Sequence, residues 1–276
     1  MMMKHKLRIA LLDLYNGQAN QGMRCIREIV AEYAAYTELV EYDVRVTDEV
    51  PGTDFDLYIC SGGPGNPLEG NGVWDVRFYD LIDRLWAHNQ NFNASKKHVF
   101  FICHSFQMAC HHFELGEIAP RQSTSFGVLP VHKTKAGKSD PLLQNLPDPY
   151  YAVDSRDWQL IQPNLRVFAE HGATILSLEK IRTHVEYERA IMAVRFSPEF
   201  VGTQFHPEAD PVGMKVHFLQ EEMRQKIVTN FSERKYNDTV RHLDDPDKIA
   251  LTHRSILPGF IENAIAQLRG LSFMAA

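Results

Sequence analysis

The amino-acid sequence predicts an α/β protein with a doubly wound, mostly parallel sheet and a helical C-terminal extension. Three observations carry that prediction. Short apolar runs alternate with helical stretches, the connections between them are short, and the pattern turns helical throughout after Pro211. Leu7 to Leu14 is an apolar run of the kind a buried parallel strand needs. Gln18 to Tyr36 then places Met23, Ile26, Val30 and Tyr33 at helical spacing, and Leu39 to Val46 alternates as a second strand. Asp54 to Cys60 is a third strand that breaks abruptly into Ser61-Gly62-Gly63-Pro64-Gly65. Trp74 to His88 is amphipathic, with Phe78, Leu81, Ile82 and Leu85 on one side. His98 to Cys103 is the fourth strand, and the helix after it carries Gln107 and Met108. Ser123 to Ser177 reads as shorter β pieces separated by Pro and Asp. Ala190 to Phe205 reads as two strands joined by a turn at Ser197-Pro198.

The pattern divides the chain into an α/β domain over 1–212 and a helical extension over 213–276. Leu219, Met223, Ile227 and Phe231 recur four residues apart, and a polar break at Asp244 to Asp247 precedes a second helical stretch from Ile249 to Leu271. Pro258 is expected to open the last helix, because proline suits a first turn. The regular apolar face of the extension predicts packing against the sheet domain or a homodimer contact.

Composition narrows the function classes. The 276 residues are 44 % apolar, enough for a sizeable core, and the formal charge of −6 argues against nucleic acid as a partner. The four cysteines, Cys25, Cys60, Cys103 and Cys110, form no CxxC pair and no zinc-finger spacing, which points away from structural zinc and a disulfide scaffold and towards a reducing compartment. The first apolar run is short and ends on Asp13 with no cleavage site after it, and no stretch reaches the length of a membrane span. The expectation is a soluble cytoplasmic protein with no membrane partner. His104, His111, His112 and Cys110 lack a carboxylate or second cysteine to complete a metal site. No metal and no cofactor are expected, and no P-loop or dinucleotide fingerprint is present.

Three short pieces carry chemistry together. Cys103 lies between a β run and a helix, where unpaired N–H groups and partial positive charge favour thiolate and can hold an oxyanion. Ser61 to Gly65 offers a turn of exposed amides directly after a strand. His206 follows an apolar strand, which puts it at the C-terminal edge of the sheet, and Glu208 lies two residues on, beyond Pro207. A carboxylate beside an imidazole fixes its tautomer and stabilises the imidazolium. Singly, each has a plain structural meaning: a buried inert cysteine, a loop turn, a surface turn. Jointly they are the parts of an acyl-transfer site.

The ordered set Ser61-Gly62-Gly63-Pro64-Gly65, a strand-elbow Cys103 with Gln107 four residues on, and Gln204-Phe205-His206-Pro207-Glu208 resembles the class I (triad) glutamine amidotransferase family, nearest to the amidotransferase half of GMP synthases. The resemblance spans roughly Leu7 to Pro211 and implies a flavodoxin-like fold. It implies Cys103 as the nucleophile on the glutamine side-chain amide, His206 as its base and then the acid for departing ammonia, and Glu208 as the residue that orients His206. It implies an oxyanion hole from the Gly63 and His104 amides, and substrate contacts from Gly62, Gly65, Gln107, Ser125 and Phe126. It also implies a glutaminase that feeds ammonia to a separate synthase subunit. Hydrolysis of another γ-glutamyl amide or peptide, and a regulatory protein with an idle triad, are the alternatives. Two departures stand out. The family elbow is usually Gly-x-Cys-x-Gly, whereas Phe101 and Ser105 flank Cys103 here. Arg156 stands where relatives carry a histidine.

Overall fold

The computed structural model describes residues 5–181 and 188–270. The elements run β1 (Leu7–Asp13), α1 (Gln21–Glu32), β2 (Thr37–Asp43), α2 (Val44–Thr47), β3 (Leu57–Cys60), α3 (Trp74–Gln90), β4 (His98–Ile102) and α4 (His104–His112). Then come β5 (Glu117–Lys133), α5 (Lys135–Ser139), β6 (Tyr150–Ile161), α6 (Leu165–His171), β7 (Thr174–Glu179), β8 (Ile191–Arg195) and β9 (Phe200–Thr203). The C-terminal helices are α7 (Pro211–Phe218), α8 (Glu221–Asn230), α9 (Glu233–Leu243) and α10 (Ile249–Arg269).

Among the described residues the strands form one sheet in the order β2-β1-β3-β4-β9-β8-β7-β5-β6. The block from β2 to β9 is parallel, and the flank from β9 out to β6 is antiparallel. The continuous apolar runs of the parallel block follow from burial on both faces. Ile9, Leu11, Ile59, Phe100 and Ile102 face α1 and α10, while Leu12, Tyr58, Val99 and Phe101 face α3 and α4. Successive residues thus serve opposite layers, as the period of a strand requires.

The fold departs from the expectations in four places. The second strand ends at Asp43, whose side chain caps the short helix α2 where the strand was expected to run on to Val46. Ser123 to Ser177 is not a set of short pieces: β5 and β6 are long paired strands, and Pro120 sits where their register shifts, at a bulge that tolerates a missing donor. The stretch through Leu219, Met223, Ile227 and Phe231 is not one helix: Leu219 ends α7, Met223 and Ile227 lie in α8, and Phe231 ends α8. Pro258 lies inside α10 instead of opening it. An interior proline costs a helix about 3 kcal/mol. Burial of Ile256, Leu257, Phe260 and Ile261 on the same helix, at about 1.5–3 kcal/mol each, outweighs that cost.

The extension therefore has two parts. Helix α10 closes one face of the parallel block, with Phe260 edge-on to Phe100 at 5.2 Å between ring centres. Helices α7 to α9 gather Met214, Phe218, Ile227, Tyr236 and Leu243 into a separate apolar cluster against Val128 of β5 and Val153 of β6. Among the described residues no helix is long and apolar enough to cross a membrane.

Candidate active site

Cys103 is the joint between β4 and α4, with φ 49° and ψ −97°. A non-glycine residue there costs about 1–3 kcal/mol and persists only where its surroundings enforce it. The enforcing contacts are visible. The Cys103 amide donates to Thr203 O at 2.8 Å. The Ser105 hydroxyl accepts from the Ile102 amide at 2.9 Å and donates to Cys60 O at 2.8 Å, tying the turn to the neighbouring strand. Ser105 thus occupies the small-residue position after the cysteine and clamps the turn through its hydroxyl.

Phe101 is accommodated by a glycine across the sheet. It pairs in register with Gly202 of β9, and a Cβ on Gly202 would come within 3.0 Å of the Phe101 Cβ and 2.8 Å of the Phe106 ring. The room that relatives make at the elbow is made here on the adjacent strand. The Phe106 ring and the Phe101 Cβ fill it, while the Phe101 ring packs edge-on to Phe196 and Phe200.

His206 arrives from β9 and is held by β6: its amide donates to Val153 O at 2.9 Å. Its Nδ1 lies 2.8 Å from Glu208 Oε1, and Glu208 is 1 % exposed. The charge of Cys103 is felt at the ring as well. Burial alone would lower the His206 pKa, but the charges of Glu208 and Cys103 prevail and hold it well above the ordinary histidine value. The thiol keeps 6 % exposure. The imidazole and carboxyl that the sequence places together are in contact, and Cys103 ends the strand that pairs with the one leading to them.

The glycine loop closes on the same point. A Cβ on Gly62 would meet the Tyr15 hydroxyl at 2.9 Å and His206 Cε1 at 3.0 Å, and one on Gly63 would strike Leu14 O at 2.5 Å. Only backbone fits. Among the described residues the amides of Gly63 and His104 have no hydrogen-bond partner, as an oxyanion site needs. The His104 side chain is buried and its pKa is lowered to about 3 by burial and by Arg45, so it is neutral.

The remaining sequence-predicted residues are placed differently. Gln107 is buried, its amide donating to Trp158 O and Gln204 Oε1, both at 3.0 Å. Gln204 in turn points its Nε2 at the Cys103 sulfur, 3.7 Å away. Ser125 donates its hydroxyl to Asp154 at 2.7 Å in the interior, whereas Phe126 lines a cleft beside His206. Gly65 has φ 91° and open space around it. Arg156 faces inward, paired with Asp154 at 3.0 Å and with Glu179 at 3.5 Å, and does not line that cleft. Its neighbours on β6, Ser155 and Asp157, do.

Sequence reasoning assigned no role to Tyr15, Gln204, Ser155 or Asp157. Gln204 sits inside the His-Pro-Glu motif, and strand alternation about Arg156 would have pointed to Ser155 and Asp157. Tyr15 gives no sequence signal.

The pattern of the family described as "Glutamine amidotransferase class-I" matches residues 11–226. The chain belongs to that family. A glutamine amidotransferase from Thermotoga maritima superposes with a TM-score of 0.67 at 14 % identity, over 95 % of this chain and 99 % of that one. A glutamine amido transferase from Methylobacillus flagellatus gives 0.65 at 15 % identity, over 98 % and 97 % of the two chains. The glutaminase domain of Trypanosoma brucei CTPS, solved with bound acivicin, gives 0.59 at 12 % identity, over 98 % and 96 %. At such identities the likeness establishes the amidotransferase fold alone. No curated protein matches the sequence.

Proposed function

We propose that this amidotransferase hydrolyses the side-chain amide of glutamine through a Cys103 thioester, giving glutamate and ammonia for a separate synthase partner. The observation that carries the proposal is the strained Cys103 beside a His206 ring whose far nitrogen is held by Glu208. The sulfur attacks the amide carbon, and the oxyanion takes the free amides of Gly63 and His104. His206 gives its proton to the departing nitrogen as the C–N bond breaks, leaving the thioester. A water that loses its proton to His206 then attacks the thioester carbon, and the C–S bond breaks to release glutamate and restore the cysteine.

A second reading, hydrolysis of a larger γ-glutamyl amide by the same steps, is favoured by the size of the cleft that opens beside His206. Steady ammonia release from glutamine, abolished in Cys103→Ala, is the expected result. No release from the wild-type chain on glutamine, with release of amine from larger γ-glutamyl amides, would favour the second reading. No turnover of either class would overturn both.

A further inference from the structure

We infer that the cleft beside His206 takes a γ-glutamyl dipeptide whose second residue is apolar, with the C-terminal extension as the wall that holds that residue. The inference rests on the second reading above, hydrolysis of a larger γ-glutamyl amide through Cys103, and names its substrate.

The cleft measures about 1040 Å³ and runs from Tyr15, His206 and Glu208 out to α7 and α8. Sites of about 300–1,000 Å³ hold drug-sized ligands, so glutamine alone leaves most of this space unfilled. Its lining mixes two chemistries. Strands β5 and β6 contribute Ser123, Thr124, Ser155 and Asp157 together with Phe126 and Val153. The Asp157 carboxylate accepts from the Thr124 hydroxyl through Oδ1, and its other oxygen suits the α-ammonium group of a glutamyl unit. From the extension, Phe218, Met223, Ile227 and Phe231 form an apolar wall. Phe231 stacks on Phe126 of β5 at 5.1 Å with 19° between the rings, which joins that wall to the sheet.

A wall of aromatic and methionine side chains suits an aromatic or branched apolar group. It offers nothing to ammonia. Lys226, on the same helix as Met223 and Ile227, also lines the cleft and has no ion pair among the described residues. It lies close enough to His217 for its charge to add to burial in lowering that histidine's pKa. An amino acid as the leaving amine satisfies both features, with its side chain on the apolar wall and its carboxylate towards Lys226. A polyamine would bring like charge to Lys226 and polar groups to the wall. The steps balance as before: the C–N bond breaks, the nitrogen takes the His206 proton and leaves as a free amino acid, and water completes the thioester hydrolysis to glutamate.

The test compares kcat/KM of the full chain for γ-glutamyl-phenylalanine, γ-glutamyl-glycine, γ-glutamyl-benzylamine and glutamine. An apolar site discriminates by about 10–200-fold. The expected result is at least a tenfold preference for γ-glutamyl-phenylalanine over glutamine and γ-glutamyl-glycine. Phe231→Ala and Met223→Ala should each lower that preference ratio about tenfold, and Phe231, 38 % exposed, can be truncated without loss of fold. Lys226→Gln should raise KM for γ-glutamyl-phenylalanine and not for γ-glutamyl-benzylamine, which lacks the carboxylate. Glutamine turned over as well as γ-glutamyl-phenylalanine, with ratios unmoved by the variants, would overturn the substrate assignment and leave the glutaminase reading standing. Equal use of the benzylamine would overturn the carboxylate contact. No turnover of any substrate would overturn this inference together with the reading beneath it.

Discussion

On the elbow side of the site, positions are set by backbone packed on backbone; on the extension side, the wall consists of side chains from short helices. Gly63 lies against Leu14 O, Gly202 against Phe101, and Cys103 is pinned to Thr203, with no slack for another residue at any of these points. Helices α7 and α8 present Phe218, Met223 and Phe231 on turns joined by brief connections, and Val212, Val216 and Leu219 on α7 and its end are exposed. The contrast separates two tasks. In the proposed reaction the reacting groups must be held to a fraction of an ångström, which rigid strand ends provide, whereas the group beyond the scissile bond would be selected by a surface that side-chain replacement can retune. Helix α10 joins the two sides. His253 donates from its Nδ1 to Glu208 O at 3.0 Å, so part of the extension buttresses the residue that orients His206.

The sharpest way to break this contrast is at the elbow. Cys103→Ala should lower ammonia release by about 10⁴-fold or more while leaving the fold intact, read by steady-state kinetics beside circular dichroism. Glu208→Gln comes next, with an expected loss of about 10²–10⁴-fold in kcat/KM. It should also move the pH profile. The His206 pKa is raised in the folded protein, so the imidazolium form persists through neutral pH and is lost as pH climbs past the raised value. Removing the carboxylate lowers that value, and the alkaline limb of kcat/KM should shift to lower pH. The same linkage makes the stabilisation from this pair fully present below about pH 6.5 and absent above the raised pKa.

Packing comes third. Phe101→Gly, which restores the usual family elbow, should destabilise by about 3–5 kcal/mol in chemical denaturation, because the ring between Phe196 and Phe200 is lost and Gly202 still leaves the space open. Gly202→Ala should cost about 1–3 kcal/mol by crowding Phe101 and Phe106. The smallest effect belongs to the extension's outer surface. Val216→Ser, at a position 62 % exposed, should stay within about 0.5 kcal/mol of wild type.

What was legible in the sequence follows the same divide. Leu7 to Leu14, Asp54 to Cys60 and His98 to Cys103 announce themselves because strands buried on both faces read as unbroken apolar runs, and the chemistry then falls at their ends. The β5–β6 pair was obscured by Pro120, Gly127 and Pro130, which ordinarily interrupt strands. Here the bulge near Pro120 and the left-handed φ of Gly127 absorb them. Pro258 misled for a related reason: its local preference for a first turn is overridden by the apolar face that α10 turns to the sheet. Phe101 raised a doubt that sequence spacing alone could not resolve, since its compensation lies about a hundred positions away at Gly202. Tyr15 and the cleft wall were invisible because they are made by residues brought together only in the folded chain.

The most direct measurement of the central claim is covalent labelling by a glutamine-mimicking electrophile. Burial pushes the thiols of Cys60 and Cys110 up and that of Cys25 up to about 12, so three of the four cysteines are held as unreactive thiols. Peptide mass mapping should place a single adduct on Cys103, blocked by excess glutamine and lost in His206→Ala. An adduct at another cysteine, or no adduct at all, would contradict the account.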